Sequence, residues 1–175
     1  MKKGKKITEV SIEIDKLTNS IESRYSGDIF DTEFYRLMKT DKKEIKKSDW
    51  LFNWTEELNY TDREVYKLTI KDNANIIQGL ISLSIEPDHV LIHLIENAKF
   101  NIGKHKAFIG VAGNMFAFAC KKSKEMGFKG FVGFVAKTKL VEHYKETLGA
   151  QNITTQRMAI DEAAANQLIN QYFKS

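Results

Sequence analysis

The chain has a single cysteine and a single proline in 175 residues. Cys120 alone cannot close an internal disulfide, so no disulfide framework holds the fold and a reducing, cytoplasmic setting is expected. Four histidines beside that cysteine form no group at zinc-ligand spacing, so no metal is expected. Long apolar runs are scarce too. Stretches such as Val90 to Ile92 and Met115 to Cys120 fall far short of the roughly 20 residues a membrane-spanning helix needs. No apolar segment follows the basic stretch Met1 to Lys6, so neither a secretory leader nor a membrane partner is expected.

The formal charge of +4 is carried by Lys2, Lys3, Lys5 and Lys6, which leaves a neutral body. No basic stripe interleaved with aromatics follows, so nucleic acid is not an expected partner. With 42% hydrophobic and 29% charged residues, the composition excludes wholesale disorder and supplies a sizeable core. The expectation is one domain over residues 1–175, with 1–6 a disordered basic tail.

Val10, Ile12 and Ile14 alternate with Ser11 and Glu13, which predicts a first strand. Residues 15–60 are weakly patterned, and Trp50, Phe52 and Trp54 suit a strand face as well as Trp50, Trp54 and Leu58 suit a helix stripe. Strands are predicted at 65–70, 76–85 and 90–97, with Glu86-Pro87-Asp88 between the last two: an antiparallel meander. Ala112, Met115, Phe116, Ala119, Cys120, Ser123 and Met126 then fall at helical spacing before Gly127. A buried strand over 130–136 follows. Next come a helix capped by Thr138 with Leu140, Val141, Tyr144 and Leu148 inward, a strand at 157–160, and a last helix capped by Asp161. The fold class is α/β (α+β): a mixed, largely antiparallel central sheet with helices on both faces.

Gly110-Val111-Ala112-Gly113-Asn114 joins the meander to the central helix. Glycines let backbone N–H groups approach an anion, and a helix N-terminus adds roughly half a positive charge. The loop is neither a Walker A motif nor a G-x-G-x-x-G fingerprint, and a tight turn entering a packed helix is the alternative. Taken with Glu125-Met126-Gly127-Phe128, Phe131 to Val135 and a tyrosine helix closing on Leu148-Gly149-Ala150, residues 65–160 resemble the GNAT superfamily of acyl-CoA-dependent N-acetyltransferases. Two positions depart from its pattern. Ala107 stands where the family's loop begins with Arg or Gln, although Lys104, His105 and Lys106 are near. Tyr144 precedes Gly149 by five residues rather than four.

The resemblance implies acetyl-CoA as co-substrate, an amine on a small molecule or peptide as acceptor, and a cofactor cleft between parted strands. A homodimer is left open. It implies cofactor contacts from Ile95, Lys106, Ile109, Gly110, Val111, Ala112, Gly113 and Asn114. Direct attack by an amine needs a base and, at the leaving thiolate, an acid. Glu96, expected to share a strand face with Val90, Ile92 and Leu94, is the candidate base, and a solvated or lysine-paired carboxylate is its alternative. Tyr144 is the candidate acid, with packing as its alternative; His93 is a reserve base and His143 is expected to be exposed. The rival function is a catalytically silent acyl-CoA-binding or protein-interaction module of the same fold.

Overall fold

The computed structural model describes residues 8–173, so the expected tail at 1–6 lies outside the described residues. The elements run β1 (Ile21–Ser23), β2 (Ile29–Phe30), β3 (Thr32–Leu37), α1 (Trp54–Glu57), β4 (Glu64–Ile70), β5 (Gly79–Ile85), β6 (Val90–Asn97), β7 (Phe108–Ile109) and α2 (Val111–Glu125). They continue with β8 (Val132–Val135), α3 (Val141–Leu148), β9 (Gln151–Asn152), β10 (Arg157–Ile160) and α4 (Glu162–Tyr172). Seven strands form one sheet in the order β3-β4-β5-β6-β8-β10-β9, and β2-β1-β7 form a small second one. Every pairing in the large sheet is antiparallel except β6 with β8. The expected mixed, largely antiparallel architecture is therefore the observed one.

Alternation along β5 sends Leu80 to one face and Ile81 and Leu83 to the other, and a separate core lies on each. The larger core takes the inner stripes of α2, α3 and α4; Phe116, Phe134 and Tyr144 meet there edge to face. The smaller holds Trp50, Trp54 and Leu58, with Phe52 half-buried; the burial matches the helical spacing, but the helix itself begins only at Trp54 and Trp50 is extended. Gly127 and Gly149 end α2 and α3 at positive φ, and the Asp161 side chain accepts from the Ala164 N–H at 3.0 Å to cap α4. Thr138 is no cap: it opens a short 3-10 turn, Thr138–Leu140, and α3 begins after it. Met126 also departs from the expected stripe, 46% exposed past the end of α2.

Two local irregularities shape the centre. The β5–β6 register slips between Ser82 and Leu83, so that Ser82 faces Leu94 and Leu83 faces Ile92, with His93 as the extra residue of a bulge. The bulge reverses the parity of everything after it. Glu96 therefore does not share a face with Val90 and Ile92 as simple alternation implies; they pack in the larger core with Ile95, while Leu94 belongs to the smaller. The second irregularity is a parting of strands. β6 and β8 pair only through Val90 with Val132 and Leu91 with Gly133, and beyond Leu91 their ladder stops.

Candidate functional site

The parting of β6 from β8 beyond Leu91 leaves a crevice between them, and α2 packs against both strands. Gly110, at φ 85, takes the left-handed conformation that turns the chain from β7 into α2. Val111, Ala112, Gly113 and Asn114 are all buried there, Asn114 completely. The Asn114 N–H is spent inside the helix on the Gly110 carbonyl at 3.1 Å, and its side-chain amide donates to Thr32 Oγ1 at 3.3 Å. It thus drops out of the expected set of free backbone donors.

What covers the helix end is the chain's own segment 10–18. Val10 enters the crevice as a parallel bridge to Ala136: its N–H donates to the Val135 carbonyl at 2.6 Å, and its carbonyl accepts from the Lys137 N–H at 2.9 Å. The expected strand at 10–14 reduces to this one bridge, because the following polar groups pair with side chains instead of a ladder. The Tyr144 hydroxyl donates to the Ile12 carbonyl. The Ile14 N–H donates to His143 Nε2 at 2.9 Å, so His143 is half-buried rather than exposed. The Asp15 carboxylate accepts from the Gly110 N–H at 3.3 Å and pairs with Lys106 Nζ at 3.1 Å. The Thr18 N–H donates to the Tyr172 hydroxyl at 3.0 Å. A Cβ at Gly110 would overlap Thr18 Oγ1, and one at Gly113 would overlap the Tyr172 hydroxyl and reach 2.9 Å from Leu17 Cδ2. An anion does sit at the start of α2, and it is Asp15.

Of the sequence-derived residues, Ile95, Glu96 and Lys106 line one cavity with residues 11–15. Ile95 pairs with Ile81 of β5 on the part of β6 that β8 leaves unpaired, Lys106 binds Asp15, and Ile109 pairs with Glu22 just before the glycine turn. Glu96 is 4% exposed and fully engaged: it accepts from the Leu51 N–H at 2.7 Å, the Phe52 N–H at 3.2 Å and Trp54 Nε1–H at 2.8 Å. All three donors belong to residues 51–54, and none is a lysine. Burial, with a further contribution from Glu13, pushes the Tyr144 phenol well above its ordinary pKa. The reserve base His93 is hydrogen-bonded to Ser84 Oγ at 2.7 Å, and burial followed by the Arg63 charge lowers it to about 4.

A cavity of about 390 Å³ remains between segment 10–18 and β6, lined among others by Glu13, Phe52, Glu96, Asn97 and His143. Asp15, Thr18, His143 and Tyr172 were not candidates in the sequence, since their partners lie 91 to 154 residues away. Among the described residues no group of three or more possible metal ligands occurs, and no helix is long and apolar enough to cross a membrane.

No family model matches the sequence, and no curated protein does. Solved structures do. The KacTA–DNA complex aligns at TM-score 0.50 and 11% identity over 79% of this chain and 98% of that one. The ribosomal-protein-S18-alanine N-acetyltransferase of Escherichia coli aligns at 0.49 and 13% identity, over 74% of this chain and 90% of its own. A protein of Bacillus anthracis, assigned as a streptothricin acetyltransferase and solved with acetyl coenzyme A, aligns at 0.47 and 14%, over 74% and 95%. Likeness at such identity speaks for the fold alone. A meander, a parted strand pair and a glycine turn opening the central helix accompany that likeness: the chain shares the mixed, largely antiparallel α/β fold of these structures.

Proposed function

We propose that this chain is a binding module built on the acetyltransferase fold, silent in acyl transfer because its own N-terminal segment occupies part of the crevice in which that fold would hold coenzyme A. The single observation that carries this reading is the Asp15 carboxylate at the start of α2, with Leu17 and Thr18 packed over Gly113 and Gly110. A diphosphate at that position would compete with the Asp15 carboxylate for the Gly110 N–H and the Lys106 ammonium, and would meet Leu17 and Thr18 over the turn. In this conformation the residues do not fit coenzyme A.

The would-be catalytic groups support the same reading. A carboxylate offers about four lone-pair directions, and Glu96 commits itself to three donors of one segment. Tyr144 spends its proton on the Ile12 carbonyl. Both side chains act as fasteners.

Acetyl transfer from acetyl-CoA to an amine, with Glu96 as base and Tyr144 as acid, is the second reading. The left-handed turn at Gly110 and the Lys106 ammonium beside it favour it. It requires segment 10–18 to leave the crevice. The two readings separate in one experiment on the whole chain: thermal denaturation and titration calorimetry with acetyl-CoA, followed by a thiol-release assay with a panel of amines. A ligand at about 100 times its dissociation constant adds roughly 2.7 kcal/mol to stability. The silent reading expects no shift and no thiol; a shift accompanied by amine-dependent release of coenzyme A thiol overturns it.

A further inference from the structure

The segment that fills the crevice also records what the crevice recognises. Its fixings suit an extended peptide rather than a nucleotide. Main-chain bonds to Val135 and Lys137 align the strand, Tyr144 and His143 take the Ile12 carbonyl and the Ile14 N–H, and Lys106 with the Gly110 N–H takes the Asp15 carboxylate. Side-chain burial follows the strand period: Val10 and Ile14 are 2% and 4% exposed and Ile12 is half-buried, while Ser11 and Glu13 face out. Main-chain bonds supplying affinity and alternate pockets supplying specificity is the chemistry of strand addition. The parted edge of β6 and β8 provides the template, because their ladder ends at Leu91.

We propose that the crevice is a peptide-binding groove whose resident occupant, residues 10–18, competes with a peptide in trans. That peptide is extended, with aliphatic side chains at three alternate positions and a carboxylate directly after the third. The proposal rests on the silent reading and deepens it by naming the partner's chemistry. A tethered segment acts at an effective concentration of the order of millimolar, so the free groove is masked in the resting chain. A partner of this pattern enters when its affinity or its local concentration exceeds that of the tether.

The test uses the full chain and a fluorescent peptide with the sequence of residues 8–20. Substituting Ile14→Ala and Asp15→Ala in the protein weakens the tethered strand while leaving the groove untouched. By fluorescence anisotropy this variant should bind the peptide at least about tenfold more tightly than the unaltered chain does. The same peptide carrying Ile14→Asp should lose that binding. A variant that melts cooperatively and fails to bind overturns the proposal. Coenzyme A binding the variant and excluding the peptide also overturns it, by making the crevice a nucleotide site. Should the double variant not fold, hydrogen exchange on the unaltered chain decides. Excess peptide should speed exchange at the Ile14 and Thr18 amides by at least about threefold, and unchanged rates reject competition. Amine acetylation by the unaltered chain would sink the silent reading itself, whereas loss of peptide binding without acetylation sinks only this inference.

Discussion

The Glu96 carboxylate joins β6 to the segment carrying both tryptophans, and its three N–H donors all come from residues 51–54. A glutamine there keeps one acceptor oxygen and turns an NH2 toward groups that are donors themselves. Leaving a buried donor unpaired costs about 1–3 kcal/mol. Glu96→Gln should therefore lower stability by about 2 kcal/mol, read from the urea midpoint. A midpoint within error of the unaltered chain would deny the fastening role. Nothing in the sequence distinguishes this carboxylate from a catalytic one, since both sit at the end of an apolar strand. The difference lies in donors from 42 to 45 residues away.

At the scale of elements, the decisive contact is the meeting of α2, α4 and the N-terminal segment at Gly113. In an isolated helix Gly→Ala stabilises by about 1 kcal/mol. Here the added methyl would meet the Tyr172 hydroxyl and Leu17, and overpacking of this kind costs about 1–3 kcal/mol. Gly113→Ala should come out net destabilising, by up to about 2 kcal/mol in thermal melts; a gain would mean that the α4 and strand contacts are loose. At the other end of α4, Asp161→Ala removes the bond to the Ala164 N–H. That should cost about 1 kcal/mol in the same measurement, the usual loss for an N-cap, and an unchanged melting point would show that the cap contributes nothing.

For the whole molecule, the buried imidazole of His93 ties stability to pH. Burial and then Arg63 hold it at about 4 in the folded chain, against 6.5 as its ordinary value, with Asp62 and Glu86 opposing. The unfolded chain therefore binds the proton more readily between these values. Stability from this group is complete above about pH 6.5 and falls away toward pH 4, by about 3 kcal/mol at most, since each unit is worth 1.36 kcal/mol. Equilibrium unfolding measured across that window, with His93→Asn alongside, should show a flatter curve for the variant; parallel curves would assign the acid loss elsewhere.

Much of the architecture was legible because it is periodic. The meander, the stripe of α2 and the glycine stops at 127 and 149 each follow from spacing within one segment, where burial on one face selects the side chains. The glycine turn and its place before the central helix were equally visible. The bulge at His93 was not, because one inserted residue leaves the local apolar pattern of Val90 to Asn97 intact while reversing which side Glu96 occupies. Nor could spacing show that Asp15, rather than a cofactor, meets the Gly110 amide: the two are 95 residues apart and share no pattern. Composition and periodicity determined the layers, and the family resemblance implied the crevice. Only the tertiary structure decided what fills it, since that depends on long-range pairing of polar groups, for which a linear sequence carries no register.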